Sequence, residues 1–225
     1  MRLPYKNKER GLISDGFKHI VAVDEVGIGS LAGPVVVCAV MFNKTFFKKR
    51  HKKLRWLRES KLLSPHQREK FATQLLKEKN FRFQIAYVHS KTIDRINIYQ
   101  AARQAMRKAI HKLKIKNARP RQAEGEAGEK LKMIVLVDGK NEIGGIKVPQ
   151  LAIVKGDRKV FSIACASIIA KVFRDKMMVR YAKKYPGYGF EQHKGYGTKY
   201  HQAQLVAQGP CEIHRKSFAP VAKLI

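Results

Sequence analysis

Acidic residues are scarce in this chain of 225 residues, which carries 17 Asp and Glu against 47 Lys and Arg. The formal net charge of +30 has to lie mostly at the surface, where like charges repel one another unless a polyanion neutralises them. Composition therefore favours a nucleic acid as the partner. A general adaptation of the host's proteins to a basic composition is the alternative that charge alone leaves open.

Cysteine is scarce too, and long apolar runs are missing. Cys38, Cys165 and Cys211 are odd in number and lack the paired spacing of a zinc site, so we expect reduced thiols in a cytoplasmic protein. No apolar run reaches the length that spans a bilayer, and the first residues lack the apolar core of a signal peptide. These absences predict a protein that does not bind membranes, and a monomer is the default expectation.

Two adjacent carboxylates follow an apolar run near the N-terminus. The four apolar residues at 20–23 indicate a strand that is buried on both faces. Asp24 and Glu25 come next, followed by glycines at positions 27, 29 and 33. Carboxylates at the mouth of a buried strand cost free energy unless a positive charge neutralises them. A divalent metal ion is the candidate that this pattern suggests.

The rest of the chain alternates β-rich and helical patterns. Further strands are predicted at 34–42, 81–88, 133–137 and 151–154, and helices at 65–79, 92–113, 160–185 and 198–209. Residues 116–132 contain one proline and two glycines and predict a flexible surface insertion. This order indicates an α/β fold with helices on the faces of a sheet, in one main domain with a small C-terminal helical extension.

Two further aspartates, Asp138 and Asp157, come directly after strand-like runs. Functional sites gather at strand ends in α/β sheets, and Asp24 would face Asp138 if their strands are parallel neighbours. Converging carboxylates repel one another unless hard cations bind, and Mg²⁺ prefers such oxygen ligands. Two ions about 4 Å apart suit phosphodiester cleavage. Each aspartate taken alone also fits a turn or a helix cap.

Nine short motifs follow one another in a fixed order along the chain. They are the segments 23–34, 59–64, 93–98, 136–139, 154–157, 166–172, 174–175, 188–198 and 209–218. This ordered set resembles ribonuclease HII, the type 2 RNase H family, over residues 20 to about 221. One motif alone has little weight, whereas nine in the same order are specific.

The resemblance implies an RNase H-like fold, with a mixed central sheet flanked by helices, and metal-dependent endonucleolytic cleavage. The implied substrates are the RNA strand of RNA–DNA hybrids and single ribonucleotides embedded in duplex DNA. The implied cofactor is Mg²⁺ or Mn²⁺ in a two-metal site. Residues 1–18 would then form a basic N-terminal arm, residues 19–185 the catalytic domain, and residues 186–225 a substrate-binding helical extension.

The resemblance also implies roles for individual residues, through their positions in the motifs. The resemblance assigns catalysis and metal binding to Asp24, Glu25, Asp138 and Asp157. It assigns substrate binding to the backbone of Gly27, Ile28 and Gly29, the ring of Tyr196 and the side chain of Lys61. The glycine backbone would approach the 2′-hydroxyl that distinguishes RNA from DNA, and the tyrosine would stack on the sugar at the RNA-to-DNA junction. A solvated surface lysine fits Lys61 equally well.

Ile28 departs from the family, whose pattern has Gly-Arg-Gly at this place. One rival hypothesis is therefore a nucleic-acid-binding protein on the same scaffold, with cleavage weak or lost because of Ile28. Another is the related type 3 enzyme, which we disfavour because no extra domain precedes the first strand. The intact carboxylates favour an active enzyme.

Other polar residues in the motifs receive structural interpretations. Asp175 is expected to form ion pairs, and Ser167 is expected to pack and not to act as a nucleophile, since no His/Asp relay accompanies it. His193, His201 and His214 lack zinc spacing and suit core, capping or phosphate-facing roles.

Overall fold

The computed structural model describes residues 3–48, 51–115 and 132–225, and at its centre is a five-stranded sheet. In chain order the strands are β1 His19–Val26, β2 Val35–Asn43, β3 Phe81–Val88, β4 Met133–Asp138 and β5 Gln150–Ile153. They lie side by side in the order β3-β2-β1-β4-β5.

The middle strand, β1, has one antiparallel and one parallel neighbour. It pairs antiparallel with β2 and parallel with β4, while β2 and β3 are antiparallel and β4 and β5 are parallel. The register of β1 with β4 ends at Val23 opposite Val137, so Asp24 and Asp138 leave the pair at the same level. The expected mixed sheet is confirmed, and so is the parallel neighbourhood that brings these aspartates together.

Helices connect the strands and follow the sheet. In chain order they are α1 Asn7–Ser14, α2 Lys44–Lys48, α3 Pro65–Leu76, α4 Ser90–Ile96, α5 Ile98–Ile115, α6 Gly156–Lys159, α7 Phe161–Lys184, α8 Phe190–His193, α9 Lys199–Gln208 and α10 Ala219–Ala222. Short 3₁₀ turns lie at Lys52–Leu54 and Ser60–Leu62.

Both faces of the sheet are covered, which explains why its central strands are continuous apolar runs. Eight successive residues of β2 are buried. On one face α7 packs against β1 and β2, and its residues 161–170 are all buried. On the other face α5 packs against β2 and β3. Each face therefore has its own apolar core.

The prediction of a single helix at 92–113 is wrong. The structure divides it into α4 and α5 at Asn97, whose φ is 62°. The Asn97 side chain accepts the N–H of Gln100 at 3.0 Å and so caps α5. Asn tolerates this left-handed conformation because its short polar side chain bonds locally. The apolar periodicity continues across the break, which is why the sequence pattern did not indicate it.

The other predicted elements differ from the structure only in their bounds. The first strand continues to Val26, so Asp24 and Glu25 lie within it and not beyond its end. The predicted helix starts at Ser64 and Thr198 are confirmed, since each side chain accepts a backbone N–H of the first turn. The predicted insertion at 116–132 lies outside the described residues, apart from Lys132. No helix within the described ranges has the length and apolar character needed to cross a membrane.

Candidate active site

The four predicted carboxylates line one cavity of about 570 Å³ at the ends of β1 and β4. Each of the predicted substrate-binding residues lines it as well. The lining residues are Asp24, Glu25, Val26, Gly27, Ile28, Gly29, Ser60, Lys61, Asp138, Asp157, Ser167, Lys171 and Tyr196. The sequence motifs thus meet in space although they are separated by more than 170 positions.

Main-chain groups hold two of the aspartates in place. Asp24 Oδ1 accepts the N–H of Glu25 at 2.8 Å, and Asp138 Oδ1 accepts the N–H of Gly156 at 2.7 Å. A Cβ at Gly156 would lie 2.6 Å from Ile163 Cδ1, so this close approach needs a glycine. The contact ties the end of β4 to α6, and α6 carries Asp157 into the cavity.

Burial and mutual repulsion raise the pKa values of the carboxylates. The pKa of Asp24 lies well above its usual value because the group is buried and because Glu25 and Asp138 are close. Burial, and then the Asp138 charge, raise the pKa of Glu25 to about 7. The pKa of Asp157 is raised by burial and by Asp138. The site therefore holds more negative charge than its surroundings compensate.

Three further residues that the sequence did not assign to the site also line this cavity, namely Ser60, Ser167 and Lys171. The Ser167 hydroxyl opposes the rise in the pKa of Asp24, and its Oγ lies 2.9 Å from Ser60 Oγ. Lys61 opposes the rise in the pKa of Glu25. Lys171 pairs with Asp175 at 2.7 Å, which confirms the interpretation of Asp175 as an ion-pair residue. The position of Ser60, Ser167 and Lys171 within the motif segments 59–64 and 166–172 was the only sequence signal for a place in the site.

The donor set fits a hard divalent cation. Carboxylate oxygens are the ligands that Mg²⁺ and Mn²⁺ prefer, and the buried Glu25 Oε2 has no hydrogen-bond partner among the described residues. Across residues 3–48, 51–115 and 132–225, however, no three His, Cys, Asp or Glu side chains form a ready-made metal cluster. The fit thus rests on ligand chemistry, and the side chains would have to close on an ion.

The glycine loop, which we define as residues 27–33, lies against the segment that carries Tyr196. Leu31 donates its N–H to the Gly195 carbonyl at 2.8 Å, and Ser30 forms a β-bridge with Tyr196. A Cβ at Gly195 would lie 2.5 Å from the Ala32 oxygen. This contact needs glycine, and it keeps the tyrosine beside the loop.

Two buried arginines, Arg174 and Arg215, hold the glycine loop, and we call this pair the arginine junction. Both donate to main-chain carbonyls. Arg174 donates to Ala32, Pro34 and Lys194, and Arg215 donates to Ile28 and Gly33, over distances of 2.8 to 3.1 Å. Burial, together with the Arg174 charge, lowers the pKa of Arg215 to about 9. A Cβ at Gly27 would lie 2.3 Å from Arg174 Nε, so the loop needs a glycine there.

A chain of histidine hydrogen bonds leads to Tyr196. His214 Nδ1 accepts the N–H of Cys211 at 2.9 Å, and His214 Nε2 lies 3.1 Å from His201 Nε2. His201 Nδ1 lies 2.9 Å from the Tyr196 carbonyl and must donate to it. His201 and His214 are fully buried, so their interpretation as core residues is confirmed.

Ile28 is half-buried and packs against the core that covers the α5 face of the sheet. Its carbonyl accepts from Arg215 Nη1 at 2.8 Å. The loop backbone is therefore held by an interior arginine at the position where the family pattern has an arginine side chain of its own.

Comparison with protein families and curated proteins gives consistent matches. A family model for ribonuclease HII matches residues 21–221. The ribonuclease HII of Caldicellulosiruptor saccharolyticus is 44% identical over 214 residues, which cover 95% of this chain and 93% of that protein. The ribonuclease HII of Acholeplasma laidlawii is 44% identical over 217 residues, covering 96% and 95%.

Solved structures of this kind share the fold. The ribonuclease HII of Archaeoglobus fulgidus, solved in complex with PCNA, matches with a TM-score of 0.67 and 25% identity over 91% of this chain and 96% of that one. The ribonuclease H2 of Pyrococcus horikoshii matches with a TM-score of 0.63 and 22% identity over 92% and 96%. Bst-RNase HIII in complex with Mn²⁺ matches with a TM-score of 0.62 and 16% identity over 98% and 73%. The expected RNase H-like fold is confirmed.

Proposed function

The chain belongs to the ribonuclease HII family of endoribonucleases, and from this premise we propose that it cleaves the RNA strand of RNA–DNA hybrids and cuts duplex DNA at single embedded ribonucleotides. The observation that carries the proposal is the cavity that four carboxylates share with the glycine loop and Tyr196. It combines ligands for hard cations with an exposed main-chain surface at Gly29 that a ribose could approach.

Two divalent cations, Mg²⁺ or Mn²⁺, would be held by Asp24, Glu25, Asp138 and Asp157. When bound, such cations stabilise the negative charge that develops on the phosphodiester oxygens and make a water more acidic. Asp24 is fixed by Ser167 and by the main chain, and Asp138 is fixed by Gly156. These contacts orient Asp24 and Asp138 before the substrate arrives, which limits the movement that would be needed to close on an ion.

The glycine loop would recognise the ribose. RNA and DNA differ at one nucleotide by the 2′-hydroxyl, and a main chain without side chains can approach that group closely. Gly29 is exposed at the cavity, with open space where a Cβ would lie. The arginine junction holds the carbonyls on both sides of it, at Ile28 and Ala32. The loop can thus discriminate by shape because it is held rigidly.

Tyr196 would stack on the sugar that follows the ribonucleotide. Its ring lies 5.5 Å from Cζ of the buried Arg174, which holds it from the interior, and 5.7 Å from Lys171 Nζ, which lines the same cavity and would be near the next phosphate. Lys61 is exposed, lines the same cavity and would contact another phosphate. We accordingly assign substrate binding to residues 186–225, which carry Tyr196, and catalysis to residues 19–185, which carry the carboxylates. Residues 1–18 stay assigned as a basic N-terminal arm.

The cleavage assay uses duplex DNA with one ribonucleotide, in Mg²⁺ or Mn²⁺, and compares the wild type with Asp138→Asn. We expect the variant to lose about a thousandfold in rate, because one ligand of the cations loses its charge. Asp15→Asn, at an exposed carboxylate on the N-terminal segment, is the matched control and should cleave like the wild type. Equal rates for Asp138→Asn and the control would remove the metal-site assignment.

Junction recognition is tested separately with Tyr196→Ala. We expect the preference for a single ribonucleotide over a uniform RNA–DNA hybrid to fall about tenfold, because one stacking contact is lost. Tyr200→Ala removes an exposed tyrosine four residues away and should leave the preference unchanged. A preference that is unaltered in Tyr196→Ala would reject the stacking role.

A nucleic-acid-binding protein with little cleavage is the second candidate, and the departure at Ile28 is the observation that favours it. The same assay separates the two. Binding of the ribonucleotide-containing duplex by the wild type, without metal-dependent cleavage, would establish the second candidate in place of the first.

A further inference from the structure

A second, larger cavity of about 910 Å³ lies between the N-terminal segment and residues 51–57. Its lining combines cationic and aromatic side chains with a few aliphatic ones, and none of the described residues that line it is acidic. We call it the Trp56 surface, and its defining residues are Tyr5, Lys6, Arg10, Lys52, Arg55 and Trp56. In a chain with a net charge of +30, this cavity concentrates positive charge in a concave surface, where the field on an incoming anion is strongest.

The aromatic side chains of this surface are exposed and not packed. Trp56 is the only tryptophan of the chain and is 64% exposed, and Tyr5 is 52% exposed. The Arg55 guanidinium carbon lies 5.1 Å from the centre of the Trp56 ring. A large apolar ring that is left in water beside a cation contributes little to folding, and exposed apolar groups of this kind mark interaction sites.

The floor of the Trp56 surface is rigid. Lys6 Nζ lies 4.5 Å from the centre of the Phe161 ring and 4.7 Å from that of Phe46, so its charge is held over two buried rings. Glu9 accepts the N–H of Ser162 at 2.8 Å, which fixes α1 against the start of α7. The cations and rings therefore present a preformed surface.

The Trp56 surface is connected to the catalytic cavity by the chain itself. Trp56 precedes Lys61 by five residues, a span of at most about 18 Å, or about five base steps. Between them a third cavity is lined by Tyr5, Arg58 and Arg158 among others, and Arg158 follows Asp157 directly. Cations thus continue from the catalytic cavity to Trp56, and the buried Glu59 is neutralised by Arg158 at 2.6 Å.

We propose that the Trp56 surface binds single-stranded nucleic acid, with phosphates on the cations and an unpaired base stacked on Trp56. Inside a duplex both faces of each base are covered by its neighbours, so an exposed ring finds a stacking partner far more readily on an unpaired strand. Alternating cations and aromatic rings in a groove are the pattern of proteins that bind single strands. The site lies apart from the residues assigned to cleavage, so it goes beyond the proposed function and does not require it.

The fluorescence of Trp56 reports on the site directly, because no other tryptophan is present. We titrate the full chain at low salt, in chelator, with a ten-nucleotide oligo(dT) and with a blunt DNA duplex of equal length. The expected result is saturable quenching by oligo(dT) that weakens as salt is raised, with little quenching by the duplex. Absence of quenching by oligo(dT), or equal quenching by the duplex, overturns the proposal.

Variants separate stacking from general attraction. By the anisotropy of a labelled oligo(dT), Trp56→Ala should weaken binding about tenfold, and Lys52→Ser with Arg55→Ser should reduce the salt dependence. Tyr99→Ala is the matched control, since Tyr99 is 69% exposed and lies on α5, which covers the opposite face of the sheet. Equal losses in Trp56→Ala and Tyr99→Ala overturn the proposal.

Two further readouts keep the result independent of catalysis and folding. Trp56→Ala should cleave a blunt ribonucleotide-containing duplex like the wild type, and should lose only the added affinity for a substrate with a single-stranded tail. Its thermal midpoint should be unchanged because the side chain is exposed. If polyglutamate or anionic phospholipid vesicles quench Trp56 as strongly as oligo(dT), the site is a general anion surface and the proposal fails.

Discussion

The carboxylate cavity and the arginine junction lie on either side of the glycine loop and bury charge of opposite sign in different ways. In the carboxylate cavity the charges repel one another, and the pKa values of Asp24 and Glu25 rise because few groups compensate them. In the arginine junction five main-chain carbonyls accept from Arg174 and Arg215. The first region keeps uncompensated charge, whereas in the second each arginine is held by main-chain carbonyls and only Arg215 Nη2 lacks a partner among the described residues.

This difference separates a functional site from a structural one. Uncompensated buried charge costs stability and is retained where it binds or reacts, whereas buried charge with hydrogen-bond partners holds a fold together. This contrast is tested by removing charge from each region in turn and measuring stability together with activity.

The largest effect is expected for Asp24→Asn, which should lose about a thousandfold in cleavage rate while becoming more stable in chelator. The folded-state pKa of Asp24 lies above its unfolded value, so the ionised form opposes folding at neutral pH and the neutral amide does not. We expect the thermal midpoint to rise by about 3 °C. A thermal midpoint that falls would mean that the Asp24 carboxylate is compensated by its surroundings, which would contradict the difference between the two regions.

Arg174→Met should act in the opposite sense and lower the free energy of unfolding by about 3 kcal/mol, since it removes the donor from two buried hydrogen bonds and one part-buried hydrogen bond to main-chain carbonyls. Urea unfolding measures the change. Arg180→Met, at an exposed arginine on the same helix, is the control and should change stability by no more than about 0.5 kcal/mol. Similar losses in both variants would show that the carbonyl contacts are not what stabilises the junction.

The histidines beside the arginine junction should make stability depend on pH. Burial, together with nearby His201, lowers the pKa of His214 to about 4, so the unfolded chain binds a proton between pH 6.5 and 4 that the folded protein excludes. Stability from this group is present above pH 6.5 and is lost as pH falls toward 4.

Between pH 7 and pH 5 the wild type should lose about 1 kcal/mol more unfolding free energy than His214→Gln. His66→Gln, at an exposed histidine on α3, should follow the wild type. Parallel curves for His214→Gln and the wild type would exclude this source of pH dependence.

The smallest effect is expected for Ile28→Arg, which restores the side chain that the family pattern has. Because Arg215 already holds the Ile28 carbonyl, cleavage should stay within about threefold of the wild type. The added cation should raise the dependence of binding on salt by about 0.9 in the logarithmic slope. A gain in rate of a hundredfold or more would mean that the loop is incomplete without its arginine.

Sequence reasoning succeeded where the signal is local. The apolar run ahead of Asp24, the strand before Asp138 and the caps at Ser64 and Thr198 each depend on a few consecutive residues, and all are present in the structure. It failed at Asn97, where apolar periodicity continued through a helix break. It also gave Ser167 only a packing role, because a serine beside a carboxylate has the same local sequence pattern as a serine that packs within a helix.

The family and the α/β fold could be recognised in the sequence, and the four carboxylates could be proposed from it, because ordered motifs and acidic residues beside apolar runs are local features of the chain. Only the tertiary structure decided how the glycine loop is held, since Arg215 reaches the Ile28 carbonyl across 187 positions. Main-chain carbonyls have no identity in a sequence, so their partners cannot be deduced from it. The Trp56 surface also depends on the tertiary structure, because its two segments, residues 5–10 and 52–56, become neighbours only when α1 packs against α7.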